Sequence, residues 1–306
     1  MRNFTKRVNV WVLGARCRTL PAAIIPVAVG AAVVLGGSSK EYDIAIATEW
    51  WSIGLVLLVA LALQIGVNYA NDYSDGVRGV DQNDLRKGPV RLVGSGLAKP
   101  SQVKKAAFVS FFVAGCAGLV LAAVTSWWLL LVGAVCVLAA WGYTGGPLPY
   151  GYIGLGEVSV FIFFGLVGTI GTSYVLLRQS ELVVDPLAVI MSVPVGLWAA
   201  ALLMANNLRD IESDEATKKY TLAVILGRRL TKYSYTLLLC VSYVVALAVR
   251  ERYTWLVLVG APFAAHAFFV LWKAEKDDPL IDLLAATGRV QVFSGLGLVV
   301  GLAIDG

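Results

Sequence analysis

The chain has 306 residues, of which 58% are hydrophobic and only 15% charged, and its mean hydropathy is +0.75. That balance excludes a water-soluble globular domain. It points to an all-α polytopic membrane bundle, because an apolar helix of about 20 residues crosses the hydrocarbon layer with its backbone groups satisfied internally.

In chain order, uncharged apolar stretches of spanning length fall at about 19–39, 51–70, 106–126, 127–143, 158–177, 186–208, 233–249, 253–272 and 290–304, which predicts about nine transmembrane helices. The third and fourth are separated only by Thr125 and Ser126, since Ala106 to Gly156 contains no charge. Arg16 and Arg18 interrupt the first apolar run, so it does not read as a cleavable signal peptide. With the N-terminus on the cytoplasmic side of the cell membrane, 21 of the 25 basic residues fall on that side, and Lys40, Arg178, Arg250 and Arg252 fall opposite. The net charge of +5 is therefore topological and gives no reason to invoke nucleic acid. Cys17, Cys116, Cys136 and Cys240 have no metal or redox spacing and read as small apolar filler, and the lone His266 reads as a packed core group. The partner implied throughout is the lipid bilayer, with oligomeric state left open.

Acidic residues are scarce, yet eight of the twenty lie in two windows just beyond the cytoplasmic ends of the second and sixth spans. The first, NYANDYSDGVRGVDQND, runs from Asn68 to Asp84 and holds Asp72, Asp75, Asp81 and Asp84. The second, ANNLRDIESDE, runs from Ala205 to Glu215 and holds Asp210, Glu212, Asp214 and Glu215. If each window continues its helix, residues four apart share a face, so Asn71 meets Asp75 and Asn206, Asp210 and Asp214 align on successive turns. The shared Asn-x-x-x-Asp core hints at a duplicated four-helix unit, about 19–143 and 158–272, within one domain of residues 1–306.

Two carboxylates about 4 Å apart repel by about 4 kcal/mol at an effective dielectric of 20, so acids packed at a membrane surface call for cations. Magnesium is commonly held by one or two carboxylates plus phosphate oxygens, which suits two half-sites around one diphosphate. Asp75, Asp210, Asp214 and Asn71 are the expected metal ligands. Asn68, Asn206, Asn207, Arg209, Tyr143 and Arg18 are expected at the substrate, with Arg78 and Lys219 placed to stabilise a departing diphosphate. Asp72 or Asp81 is the expected base. Tyr69, Tyr73, Trp141, Tyr143, Tyr150 and Tyr152 are candidate aromatic walls for an allylic cation, and Glu157 is an ionisable group at the start of the fifth span.

At these residues the sequence resembles the UbiA superfamily of intramembrane aromatic prenyltransferases, whose first motif falls on Asn71, Asp75 and Asp81 and whose second falls on Asp210 and Asp214. Within it, KGPVRLVGSG, YTGGPLPYGYIGLGE, NNLRDIESD and TLAVILG are similar to the 1,4-dihydroxy-2-naphthoate polyprenyltransferase branch. Two positions depart from the family pattern: Ile225 stands where relatives carry Arg, and Lys218 where they carry Gly. The resemblance implies a helical bundle around a central cavity, magnesium, and transfer of a polyprenyl group from its diphosphate to dihydroxynaphthoate with decarboxylation, giving demethylmenaquinol. Three alternatives stand beside it. Another aromatic acceptor such as 4-hydroxybenzoate is one. A CDP-alcohol phosphatidyltransferase is suggested by Asp72-x-x-Asp75-Gly76 but not by the Val77-Arg78-Gly79 that follows. A secondary transporter would place polar groups near the bilayer midplane.

Overall fold

The computed structural model describes residues 10–38, 50–80, 90–177, 184–249, 253–275 and 280–304. Asp81 and Asp84 lie outside the described residues. Eleven helices organise the described chain: α1 (Val10–Thr19), α2 (Pro21–Val33), α3 (Trp50–Val77), α4 (Pro100–Val124), α5 (Trp128–Gly142), α6 (Gly156–Leu176), α7 (Pro186–Arg209), α8 (Ile211–Ala216), α9 (Leu222–Ala248), α10 (Thr254–Lys273) and α11 (Ile281–Ala303). Seven of the described helices are long and apolar enough to cross a membrane, and α1 with α2 passes the same test only as a pair, bent by 48°, which counts as an eighth if the two form one broken span. The remaining expected span is α5, whose 15 residues reach only roughly 22 Å. The turn expected at Thr125 and Ser126 separates α4 from α5.

The helices outrun the apolar runs that announce them. Once a helix is propagating, each further residue adds a backbone hydrogen bond, so polar residues at its end stay helical. Thus α3 carries the first acidic window as far as Val77. In the same way α11 begins at Ile281 rather than near 290, so Arg289, expected in a loop, lies inside a membrane helix. The second window behaves differently. α7 ends at Arg209, and Asp210 takes φ −98° and ψ 8° before α8 starts. The four-residue spacing survives the break, because Asp210 N–H donates to the Asn206 carbonyl (3.2 Å) and Asp214 N–H to the Asp210 carbonyl (2.8 Å).

Two packed groups flank the middle of the molecule. The larger core joins α2, α7, α9, α10 and α11 around the fully buried Trp198, Tyr235 and Leu239. The smaller joins α3, α4 and α5 around Ala70, Leu92, Ala107 and Phe111. α6 widens over Phe161–Val167 where Gly165 meets α7; a Cβ there would stand 2.6 Å from the Gly196 Cα, so a side chain would force the two helices apart. His266 is exposed on α10 rather than packed in the core, because the buried face of that helix is taken by Ala264, Ala267 and Leu271.

Candidate active site

A cavity of about 2050 Å³ lies between the two packed groups, lined by α1–α7 and α11. It is larger than the roughly 300–1,000 Å³ of most small-molecule sites, and its lining is mainly aliphatic. Its polar end is built first by α3. Asn68, Asn71 and Asp75 share one face of that helix and line the cavity. Asn68 Nδ2 donates to the Ala15 carbonyl (2.9 Å) and to Thr19 Oγ1 (3.0 Å), which fixes the α1–α2 bend against α3. Thr144 Oγ1 donates to Asn71 Oδ1 (2.8 Å), and the Tyr152 hydroxyl donates to Asp75 Oδ1 (2.6 Å).

The 143–155 loop then meets the segment after α8. Tyr220 N–H donates to the Tyr152 carbonyl (3.1 Å), and Ile153 pairs with Tyr220 in an isolated bridge. This junction sets Lys219 over the Tyr152 ring, 5.5 Å from its centroid, with Nζ 3.4 Å from Asp214 Oδ1. Burial by itself pulls the Lys219 ammonium down, but Asp75, Asp214 and Asp210 outweigh it and hold the group above the usual lysine value. Lys219 is thus the point on which both acidic windows converge. Burial raises the Asp214 carboxyl to about 6, with Asp210 and Asp75 adding to the rise and Lys219 opposing it.

Arg209 holds the second window. Its Nε and Nη2 donate to the two oxygens of Asp210 (2.8 and 2.6 Å), and Nη2 also reaches Asn206 Oδ1 (2.8 Å). Asn206, Asn207 and Arg209 line the cavity, and Asn207 Nδ2 donates to the buried Glu157 Oε1 (3.0 Å). Tyr143 and Arg18 line it as well. Asp210 and Asp214 stand behind Arg209 and Lys219, and are not among the lining residues.

Two expected site residues are used elsewhere. Asp72, 1% exposed, accepts from Leu92 N–H at Oδ2 (2.9 Å) and Val93 N–H at Oδ1 (3.0 Å), so it anchors the 90–98 loop instead of facing the cavity as a base. Arg78 donates through Nη1 and Nη2 to the carbonyls of Thr144 and Gly146 and lies over the Tyr152 ring, so it clamps the 143–155 loop rather than meeting a diphosphate. Of the six candidate aromatic walls only Tyr143 and Tyr150 reach the cavity. Tyr69 is held at Trp11, Tyr73 stacks on Trp141, and Tyr152 supports Asp75. Phe163, Phe164 and Phe293 supply the rest.

Arg91 is a cavity residue that spacing did not single out; its Nη2 stands 3.6 Å from Asp75 Oδ2. The family-like segment KGPVRLVGSG was the signal for it. The departures at Ile225 and Lys218 acquire physical meaning. Ile225 is exposed and sits beside Gly154, away from the cavity. Lys218 has φ +57°, a conformation suited to glycine.

A family model described as the UbiA prenyltransferase family matches residues 21–282. A 1,4-dihydroxy-2-naphthoate octaprenyltransferase from Mycobacterium tuberculosis is 45% identical, covering 96% of this chain and 96% of its own. Among solved structures, a UbiA homolog from Aeropyrum pernix superimposes with a TM-score of 0.69 at 15% identity, over 92% of this chain and 97% of the other. A UbiA homolog from Archaeoglobus fulgidus, bound to DMAPP and Mg2+, gives 0.63 at 14% identity, over 94% and 98%. At these identities the structures speak for the fold, a membrane helical bundle.

Proposed function

The chain belongs to the UbiA prenyltransferase family, and from that premise we propose that it transfers a polyprenyl group from polyprenyl diphosphate to 1,4-dihydroxy-2-naphthoate, with loss of diphosphate and carbon dioxide, giving demethylmenaquinol for menaquinone biosynthesis. The observation that carries the acceptor is the 45% identity, over nearly the whole of both chains, to an enzyme named for it. Family membership sets aside the phosphatidyltransferase and the transporter. The bias of basic residues supports a cytoplasmic position for the polar end of the cavity, in the cell membrane. The matching positions of the two Asn-x-x-x-Asp windows, at the ends of α3 and α7, support one domain built from duplicated helical halves.

Magnesium fits the donor set. Asp75 and Asn71 present oxygen atoms to the cavity and leave the other coordination positions to substrate phosphate oxygens and water, the kind of shared shell magnesium takes. Asp75 and Asn71 would hold it from the first window, and Asp210 and Asp214 would join them on giving up Arg209 and Lys219 to the diphosphate. The chemistry supplied by bound magnesium is neutralisation of the charge that grows on the leaving diphosphate.

The protein's own groups do the rest. Lys219, Arg209 and Arg91 give the polar end positive charge for the diphosphate while pairing with Asp214, Asp210 and Asp75. Thr144 orients Asn71, Tyr152 orients Asp75 and Glu157 orients Asn207, so each polar side chain at the mouth is held from behind. The aliphatic wall, with Tyr143, Phe163 and Phe164, excludes water from an allylic centre that water would otherwise capture. Its volume accommodates a long isoprenoid tail.

Purified protein incubated with magnesium, prenyl diphosphates of graded length and a panel of aromatic acids should yield a prenylated, decarboxylated naphthalenediol by mass. Transfer to 4-hydroxybenzoate alone would overturn the acceptor. Asp75→Ala should abolish turnover in folded protein, and near-wild-type activity there would remove the metal site from this position.

A further inference from the structure

The carboxylate oxygens of the two acidic windows have two kinds of partner. In the first window the Tyr152 hydroxyl donates to Asp75 Oδ1 at 2.6 Å, while Oδ2 faces Arg91 Nη2 at 3.6 Å. The second window repeats the division: Thr221 Oγ1 donates to Asp214 Oδ2 at 3.5 Å, and Lys219 Nζ stands 3.4 Å from Oδ1. Asp75 and Asp214 thus each carry a neutral hydroxyl on one oxygen and a cation on the other. Asp210 differs, since Arg209 takes both of its oxygens.

The two partners of Asp75 answer an arriving diphosphate differently. Guanidinium groups pair strongly with phosphate oxygens, so Arg91, which lines the cavity, turns from Oδ2 to the substrate. Tyr152 stays. It is not among the lining residues, so it acts only through Asp75. Its N–H donates to the Pro149 carbonyl (3.0 Å), its carbonyl accepts from Tyr220 N–H (3.1 Å), and Arg78 lies over its ring, 5.2 Å from the centroid. A phenol titrates near about 10, so at neutral pH this hydroxyl remains a donor. Asp75 therefore keeps Oδ1 tied and has Oδ2 to give.

We infer that Tyr152 is a positioning residue that selects magnesium over calcium, by reserving one oxygen of Asp75 so that this carboxylate offers a metal only the other. The inference rests on the proposed magnesium-dependent reaction. Magnesium demands a near-octahedral shell and is served by single oxygens from one or two carboxylates, whereas calcium takes about six to eight oxygens and readily uses both of one carboxylate. A hydrogen bond from behind a ligand is therefore a selectivity element as well as a support. The same device recurs beside it, where Thr144 Oγ1 donates to Asn71 Oδ1 at 2.8 Å.

The test is calorimetric titration of Mg2+ and of Ca2+ into the full chain in detergent, saturated with geranyl thiolodiphosphate, which offers the phosphate oxygens without turning over. Wild type is compared with Tyr152→Phe and Tyr152→Leu. Tyr152→Phe removes the hydroxyl and keeps the ring under Arg78. It should weaken magnesium by about tenfold to a hundredfold and leave calcium as tight or tighter, so the preference for magnesium falls by at least about tenfold. Tyr152→Leu should shift the preference equally. Each preference is a ratio within one protein, so a change in the fraction folded cancels. An unchanged preference in Tyr152→Phe, equal weakening of both ions, or a shift in Tyr152→Leu alone overturns the assignment. Wild type that binds calcium as tightly as magnesium overturns it too. The function is tested separately: wild type that binds magnesium selectively but does not prenylate dihydroxynaphthoate contradicts the reaction and leaves the role of Tyr152 standing.

Discussion

Asp72 and Asp75 are three residues apart on α3, and substitution by asparagine should separate them completely. Asp72 accepts two backbone N–H groups at 2.9 and 3.0 Å with almost no exposure. Hydrogen bonds to a charged acceptor contribute about 1.5–3 kcal/mol each. In Asp72→Asn one oxygen is kept, the other becomes an N–H2 facing a backbone N–H, and the charge is gone, so a loss of about 2–4 kcal/mol is expected. The loop so released carries Arg91, which faces Asp75. Asp72→Asn should therefore lower the thermal unfolding temperature and raise the KM for prenyl diphosphate, with the pH dependence of kcat unchanged. Asp75→Asn should do the opposite: it retains an acceptor for the Tyr152 hydroxyl, so stability holds while magnesium-dependent turnover is lost. Unfolding in detergent followed by tryptophan fluorescence, with initial rates across pH 5 to 9, measures both. Wild-type stability in Asp72→Asn with the basic limb of the rate profile abolished would refute the anchoring role and restore Asp72 as the base.

Three further outcomes are expected. Lys218→Gly relieves the left-handed backbone at φ +57° and should stabilise the protein by up to about 1 kcal/mol, read as a higher unfolding temperature with unchanged activity. Arg78→Lys cannot reach both the Thr144 and Gly146 carbonyls and should speed proteolysis of the 143–155 loop; a raised diphosphate KM with no change in proteolysis would instead make Arg78 a substrate contact. Asp214 titrates near 6, above its usual 3.8. Because its folded value is raised, the native state binds that proton better than the unfolded chain, so metal-free stability from this group should rise as pH falls from about 7 to about 4. The same proton competes with magnesium, whose apparent affinity should weaken below about pH 6 by up to tenfold per unit, and Asp214→Asn should flatten the stability effect.

The membrane bundle was legible because composition and the lengths of apolar runs are direct consequences of the bilayer. The first acidic window was legible as well, since α3 continues unbroken and puts Asn71 and Asp75 on one face. Spacing could not tell Asp72 from Asp75. On a helix they are about 60° apart, and which one faces the cavity is decided by the 90–98 loop packing on the other side. The second window broke at Asp210, and its spacing held only because the backbone bonds of 206, 210 and 214 bridge the break. Arg78 was misplaced for a related reason: a basic residue beside acids looks like a phosphate ligand until the carbonyls it reaches, more than sixty residues on, are known.

Arg289 exposes the opposite error. Reading spans as uncharged runs places every arginine outside them, so the boundary of the last span moved to Val290 and hid a charged residue that α11 carries into the cavity. The acidic windows carry a further lesson. Three of their carboxylates already meet cations of the chain, Asp75 with Arg91, Asp210 with Arg209 and Asp214 with Lys219, so a diphosphate and its magnesium would enter by exchanging these pairs rather than by filling an uncompensated charge.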